Sequence, residues 1–134
     1  MTRINIIPVK ELFDQHLIAE YREIIMVPAA LSRTLKSKVG FDESKIEDRY
    51  TLNKGHVYFF YNKGEYLHKR YKKIIKEMEC RGFHPNPKRK FPINIFIENN
   101  LYEDWAPTVE DFKIIRKRIE SKLKEKPSWY RKTI

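Results

Sequence analysis

The residues with the least ordinary chemistry open to them stand at the start of the chain, MTRIN. Removal of Met1, which the small Thr2 side chain permits, leaves the α-amine on Thr2. An α-amino group has a pKa of about 7.7–8.0, against about 10.4 for a lysine. At pH 7 roughly 10% of it is uncharged, against roughly 0.04% of an ordinary lysine. Such an amine is a nucleophile for a carbonyl-like carbon without any burial. Arg3 beside it disfavours the ammonium form a little further. Every chain has an amino terminus, so this feature by itself does not mark an enzyme.

Other chemistries find little support. His16, His56, His68 and His84 show no pairing at metal-ligand spacing, and Cys80 is the single cysteine. No metal site, disulfide framework or CxxC pair is expected. Neither GxGxxG nor GxxxxGK[ST] occurs, so no nucleotide cofactor is expected either. The acids Asp42, Glu43, Glu47 and Asp48 read as a solvated charge run rather than a two-metal centre.

Composition sets the frame for these residues. At 134 residues, 41% hydrophobic and 13% aromatic, the chain suits one compact core and one domain, 1–134. No apolar run approaches the roughly 20 residues needed to cross a bilayer. The first residues lack the apolar stretch of a signal peptide. The expectation is a soluble, intracellular (cytoplasmic) protein with no membrane partner. With 28 Lys and Arg against 18 Asp and Glu, the net charge of +10 favours nucleic acid as that partner. The charge is concentrated. Residues 63–90 carry ten Lys or Arg against three Glu, and residues 113–132 carry nine against two. Residues 98–111 between them hold five acids and no base.

Three helices are expected to position these groups. The first runs from Val9 to Lys38, with Leu12, His16, Ala19, Glu23 and Met26 on one side and Leu17, Tyr21 and Ile24 on another. Pro28 kinks or restarts it, and Gly40 ends it. Residues 40–62 hold the turn Asn53-Lys54-Gly55. Val57–Tyr61 reads equally as a short strand or a buried extended stretch. The second helix starts at Asn62 as cap with Glu65 as reciprocal acid, carries the stripe Leu67, Tyr71, Ile74, Ile75 and Met78, and ends at Gly82. Residues 83–106 are proline-rich loop. Thr108 caps the third helix with Asp111 at its third position, Phe112, Ile115, Ile119 and Leu123 form its stripe, and Pro127 stops it. The fold class is all-α, a compact single domain of three helices with long loops.

Five segments in this order carry a family resemblance: MTRIN at the start, DQHLIAEYRE at 14–23, GHVYFFYNK at 55–63, CRGF at 80–83 and KPSWY at 126–130. Together they resemble the pyrimidine-dimer DNA glycosylase/AP lyase family of bacteriophages and algal viruses. The resemblance implies an all-α monomer that needs no metal or other cofactor. It also implies binding to double-stranded damaged DNA, which members bend at the lesion with a nucleotide flipped out. By matched position, the Thr2 amine attacks the sugar C1′, the base leaves, and β-elimination from the imine cuts the strand. Glu23 matches the catalytic acid. Arg3, His16 and Arg22 match residues packed around the site, and Arg118 and Lys122 match basic residues that hold the DNA backbone.

The residues themselves agree with these roles. Breaking an N-glycosidic bond builds positive charge on the sugar, which a fixed carboxylate stabilises. The same carboxylate can then take a proton from C2′. Glu23 follows His16 by two helical turns, and Arg118 and Lys122 are i, i+4 on one face. Two departures bear on the lesion. Ile24-Ile25-Met26 stands where the family typically has Leu-Pro-Arg, and the tail ends as Arg131-Lys132-Thr133-Ile134. The same mechanism on another damaged or modified base, and DNA binding without catalysis, therefore stay open as alternatives.

The charge distribution makes a first prediction. Log affinity for duplex DNA should fall linearly with log salt. Arg118→Gln or Lys122→Gln should each lower that slope by roughly one, for damaged and undamaged duplex alike. Fluorescence anisotropy titrations at several salt concentrations check this, and a salt-independent affinity would contradict it.

Overall fold

The computed structural model describes residues 3–133. Among them there is no strand. An extended segment, residues 3–8, leads through a 3-10 turn at Val9–Glu11 into α1 (Asp14–Glu23) and α2 (Met26–Lys36). A second 3-10 turn at Glu43–Lys45 precedes α3 (His56–Phe59), α4 (Gly64–Cys80), α5 (Asn94–Glu98) and α6 (Val109–Glu125). The all-α class holds, while the expected three helices become six α-helices among the described residues.

Each difference has a local cause. The expected helix from Val9 to Lys38 is divided twice. Leu12 and Phe13 are extended, so α1 begins only at Asp14, whose N–H donates to the carbonyl of Arg131 at 2.6 Å. Pro28, in the first turn of α2, has no N–H for the Ile24 carbonyl, and Val27 N–H donates there instead at 3.3 Å. Val57–Tyr61 is neither strand nor extended. It forms the single turn of α3 and its exit, with Phe59 and Phe60 fully buried. Residues 83–106 include α5 as well as loop.

Asn62 does not cap α4. The helix starts two residues later, and its first N–H groups find partners in the loop after α5. Gly64 donates to the Leu101 carbonyl at 3.0 Å, and Glu65 and Tyr66 to the Glu103 carbonyl. That docking requires glycine at 64, because a Cβ there would stand 2.4 Å from Cγ of Phe96. Other terminal readings hold. Gly82 ends α4 at φ +86°, with Phe83 N–H to the Met78 carbonyl at 2.9 Å. Thr108 and Asp111 cap each other reciprocally at the start of α6.

α1 packs chiefly on α4. Leu17, Tyr21 and Ile24 meet Leu67, Tyr71, Ile74 and Met78 in one buried cluster, to which α6 adds Ile115 and Ile119. The proline-rich loop is pinned to the same helices. Asn86 N–H donates to the Tyr21 hydroxyl at 2.9 Å, and the Arg89 guanidinium lies 3.7 Å over the Tyr21 ring. Among the described residues no helix is long and apolar enough to cross a membrane.

Within this apolar packing lies a fully buried ion pair. Arg70 of α4 donates from Nε to Oε2 of Glu20 at 2.7 Å and from Nη2 to Oε1 at 3.0 Å. Burial works against the Arg70 charge, but the Glu20 carboxylate outweighs it and holds the guanidinium above its ordinary pKa. The pair also grips the N-terminal segment. Asn5 N–H donates to Glu20 Oε1 at 3.1 Å, and Arg70 Nη1 donates to the Ile7 carbonyl at 2.5 Å. Between those two holds, Ile6 sits at φ +49°. A β-branched residue in the left-handed region costs on the order of 1–3 kcal/mol, and the grips on both sides keep it there.

Removing one partner should therefore be severe. Arg70→Met leaves a buried carboxylate unpaired and should cost about 3–5 kcal/mol. The double variant Glu20→Gln/Arg70→Met should lose less, because no charge is stranded. Urea unfolding measures both, and a single variant within 1 kcal/mol of wild type, on the scale expected for exposed pairs, would contradict the reading.

Candidate active site

The N-terminal segment has no neighbouring strand among the described residues, yet its backbone groups are all but sealed from solvent. Side chains supply the missing partners. Ile4 N–H donates to Nε2 of His56 at 2.8 Å, and the Ile4 carbonyl accepts from the Tyr50 hydroxyl at 2.8 Å. Ile4, Tyr50 and His56 are each no more than 2% exposed. Because Nε2 accepts, the proton of neutral His56 belongs on Nδ1, which donates to the Thr51 carbonyl at 2.7 Å. Burial pushes the His56 pKa down to about 4, against the raising effect of the Thr51 bond. Burial also raises the Tyr50 hydroxyl well above its ordinary range, so it stays a donor.

Arg3 follows at the outer end of this segment and is half-buried. Burial and the Arg118 charge lower its pKa, opposed by Tyr50 and Glu23. Glu23 is the last residue of α1 and is also half-buried. Burial raises its carboxyl pKa. Glu20 adds to that effect, while Arg118 and Arg3 oppose it. A carboxyl moved upward can hold and release a proton closer to neutrality than an exposed one. His16, two turns earlier, is buried, and its ring stacks on Tyr130 at 4.8 Å. Burial and Arg118 lower its pKa, and Nδ1 has no hydrogen-bond partner among the described residues.

Four of the residues singled out in the sequence thus come together: Arg3, His16 and Glu23, with Arg118 acting electrostatically on each. Arg22 is exposed beside Glu23. Lys122 lies one turn beyond Arg118 and pairs with Glu125 at 3.6 Å. Thr2 lies outside the described residues. Of the other bases of α6, Arg116 reaches Glu11 at 3.0 Å and Lys124 reaches Glu120 at 3.2 Å.

Sequence reasoning missed Tyr50, His56, Glu20 and Arg70. His56 was visible only as a histidine without a metal partner, and nothing around Tyr50 marks it. Glu20 lies one turn before Glu23, with an arginine 50 residues away whose pairing no spacing reveals. A groove of about 480 Å³ between α2 and α3 is lined by Met26, Ala29, Ala30, Arg33, Val57 and Tyr61. Another cleft, about 550 Å³, lies between Ile6, Arg70 and Phe112, and none of Glu23, His16 or Arg118 lines it. Among the described residues no three His, Cys, Asp or Glu side chains converge as a metal site requires.

The His56 contact has a pH signature. An imidazolium carries N–H on both nitrogens, so protonation would set Nε2–H against Ile4 N–H. With the folded pKa below the unfolded one, the contribution is full above about pH 6.5 and drains away as pH falls towards 4. A shift to about 4 corresponds to on the order of 3 kcal/mol. Unfolding free energies at pH 7 and 4.5 should therefore differ less in His56→Gln than in wild type. An equal loss in both would place the acid sensitivity on other groups.

A protein-family model described as pyrimidine dimer DNA glycosylase matches residues 1–91. The match runs from the N-terminal segment through α1, α2, α3 and α4 into the proline-rich loop, and so takes in Arg3, His16, Glu23, Tyr50, His56 and Arg70. Arg118 and Lys122 come from the part of the chain beyond it. With about two thirds of its 134 residues matched, including every residue that anchors the N-terminal segment, this chain belongs to the pyrimidine dimer DNA glycosylase family and has that family's role in DNA repair.

Proposed function

We propose that the protein is a bifunctional glycosylase and AP lyase that excises pyrimidine dimers from ultraviolet-damaged duplex DNA. It works as a single-domain monomer without a metal. The Thr2 amine, freed by removal of Met1, is the nucleophile. Its nitrogen bonds to C1′ as the N-glycosidic bond breaks, and the base departs with the bonding pair and takes up a proton. Opening of the sugar ring gives an imine. Loss of the C2′ proton then expels the 3′ phosphate and cuts the strand. Glu23 stabilises the cationic sugar and afterwards accepts the C2′ proton.

The observation that carries this reading is the setting of Glu23. Its carboxyl is half-buried, raised by that burial, and answered by the charge of Arg3, the residue covalently next to Thr2. Arg118 acts on both Glu23 and His16, and in this reading Arg22 and Lys122 meet phosphates. Met26 favours one variation. It is 49% exposed and lines the apolar groove one helical turn after Glu23. Where an arginine would meet phosphate, a thioether meets an apolar base edge, so a different damaged or modified pyrimidine is the second reading of the substrate.

Glu23→Gln keeps the size of the side chain and removes its charge. Base release from dimer-containing duplex should fall by about two to three orders of magnitude. Borohydride should still trap the variant on pre-formed abasic DNA, since imine formation there needs only the amine and an open aldehyde. The adduct should map to the N-terminal peptide, EDTA should leave it unchanged, and an N-terminal extension should abolish it. Wild-type base release by the Gln variant, or an adduct on a lysine peptide, would refute the assignment. Turnover of oxidised but not dimerised pyrimidines would select the second reading.

A further inference from the structure

We infer that His56 and Tyr50 are positioning residues for the reaction, fixing the backbone of Ile4 so that the amine two residues upstream is presented to the sugar at one distance and angle. This rests on the proposed role of the Thr2 amine and adds the means by which that amine is aimed. A terminal amine has no side-chain rotamer to hold it. Its position is inherited from the backbone behind it, and an unpaired end of a chain ordinarily frays. Here the chain is gripped from both sides at one residue. Ile4 N–H goes to His56 at 2.8 Å and the Ile4 carbonyl to Tyr50 at 2.8 Å, partners 52 and 46 residues away. Two polar side chains, each almost wholly buried, take up the N–H and the carbonyl of Ile4, itself fully buried, and so fix the direction of its backbone as well as its place.

The grip is itself held rigid. His56 is fixed by Thr51 at its other nitrogen, and its ring lies edge-on to Tyr50 at 5.5 Å and to Phe60 at 5.4 Å. Tyr50 stacks on Trp105 at 6.3 Å. On the inner side the Glu20–Arg70 pair fixes Asn5 and Ile7. Neither His56 nor Tyr50 has a place in the chemistry itself. His56 uses both nitrogens on the backbone, and the Tyr50 hydroxyl is committed to Ile4. A misplacement of about 1 Å at a reacting atom can cost about 100-fold in rate, so loosening this hold should act on the covalent step and spare DNA binding.

The test compares Tyr50→Phe, which removes one hydroxyl and keeps the ring, with His56→Leu and His56→Gln. The wild-type adduct is first mapped. Single-turnover borohydride trapping on abasic duplex, well below each variant's melting temperature, gives the imine rate, and anisotropy gives the Kd for the same duplex. Met78→Ala, a core truncation in α4 away from Ile4, serves as the control for lowered stability. We expect trapping to slow by about 10- to 100-fold in Tyr50→Phe and His56→Leu, with Kd within about twofold of wild type. His56→Gln, which keeps an acceptor for Ile4 N–H, should recover part of the rate, and Met78→Ala should trap at the wild-type rate. Wild-type trapping in Tyr50→Phe and His56→Leu overturns the positioning role. So does an equal slowing in Met78→Ala, which would make the effect one of stability. A wild-type adduct away from the N-terminus refutes the nucleophile assignment itself and removes the basis of this inference with it.

Discussion

The salt bridge between Glu20 and Arg70 is the contact from which the arrangement of the N-terminal half follows. Alone it would be a poor source of stability, because two charges taken wholly out of water give up hydration that their attraction only roughly repays. What it does instead is join three elements. Glu20 comes from α1, Arg70 from α4, and each spends a further hydrogen bond on the segment that precedes them both. An isolated extended segment cannot satisfy its own backbone, and here there is no strand among the described residues to complete it. The ion pair supplies a carboxylate where an acceptor is needed and a guanidinium where a donor is needed. The positive φ of Ile6 between them is a cost that only such a two-sided hold sustains.

The site's electrostatics follow from where this segment emerges. It delivers Arg3 towards the end of α1, while α6 brings Arg118 to the same place. Glu23 thus has two cations for neighbours and still has its carboxyl raised, because burial outweighs them. Each effect alone would give a less useful group. Without burial the arginines would draw the Glu23 pKa down, and without the arginines burial would push it higher still. Opposed in this way, they leave the carboxyl raised by less than its burial alone would raise it. Burial, and after it the charge of Arg118, lowers the pKa of His16 as well, which disfavours a further cation where its ring stacks on Tyr130.

The sequence was legible where a local rule decides the outcome. The α6 capping box, the glycine end of α4 and the apolar stripes of both helices are properties of a few neighbouring residues, and the structure has them. Pro28 marked one of the two divisions of the first expected helix, and nothing local marked the other, where Leu12 and Phe13 stay extended. The start of α4 was misread for the opposite reason. Asn62 and Glu65 have the right types for a cap, but the carbonyls of Leu101 and Glu103 arrive from across the fold and make a side-chain cap unnecessary. The site divides in the same way. Glu23 and His16 stand on one helix and could be read together. Tyr50 and His56 act on a residue about 50 positions away, and no periodicity encodes that.

The two ends of α1 complete this division of labour. Its C-terminal end carries Glu23 and its N-terminal end is held by the tail. Asp14 accepts from Thr133 N–H at 3.0 Å and from Arg81 at 3.0 Å, while Gln15 exchanges hydrogen bonds with the backbone of Trp129 and Arg131. Burial would raise the Asp14 carboxyl, but the bonds from Thr133 and Arg81 outweigh it and hold the group below its ordinary pKa. The tail therefore does for α1 what a capping side chain does elsewhere, and it brings Tyr130 onto His16 as it does so. Since Arg118 stands on the helix that leads into this tail, residues beyond the matched 1–91 stretch contribute to the field around Glu23 and hold the other end of its helix. A change in the tail thus bears on the setting of Glu23 through the helix that both ends share.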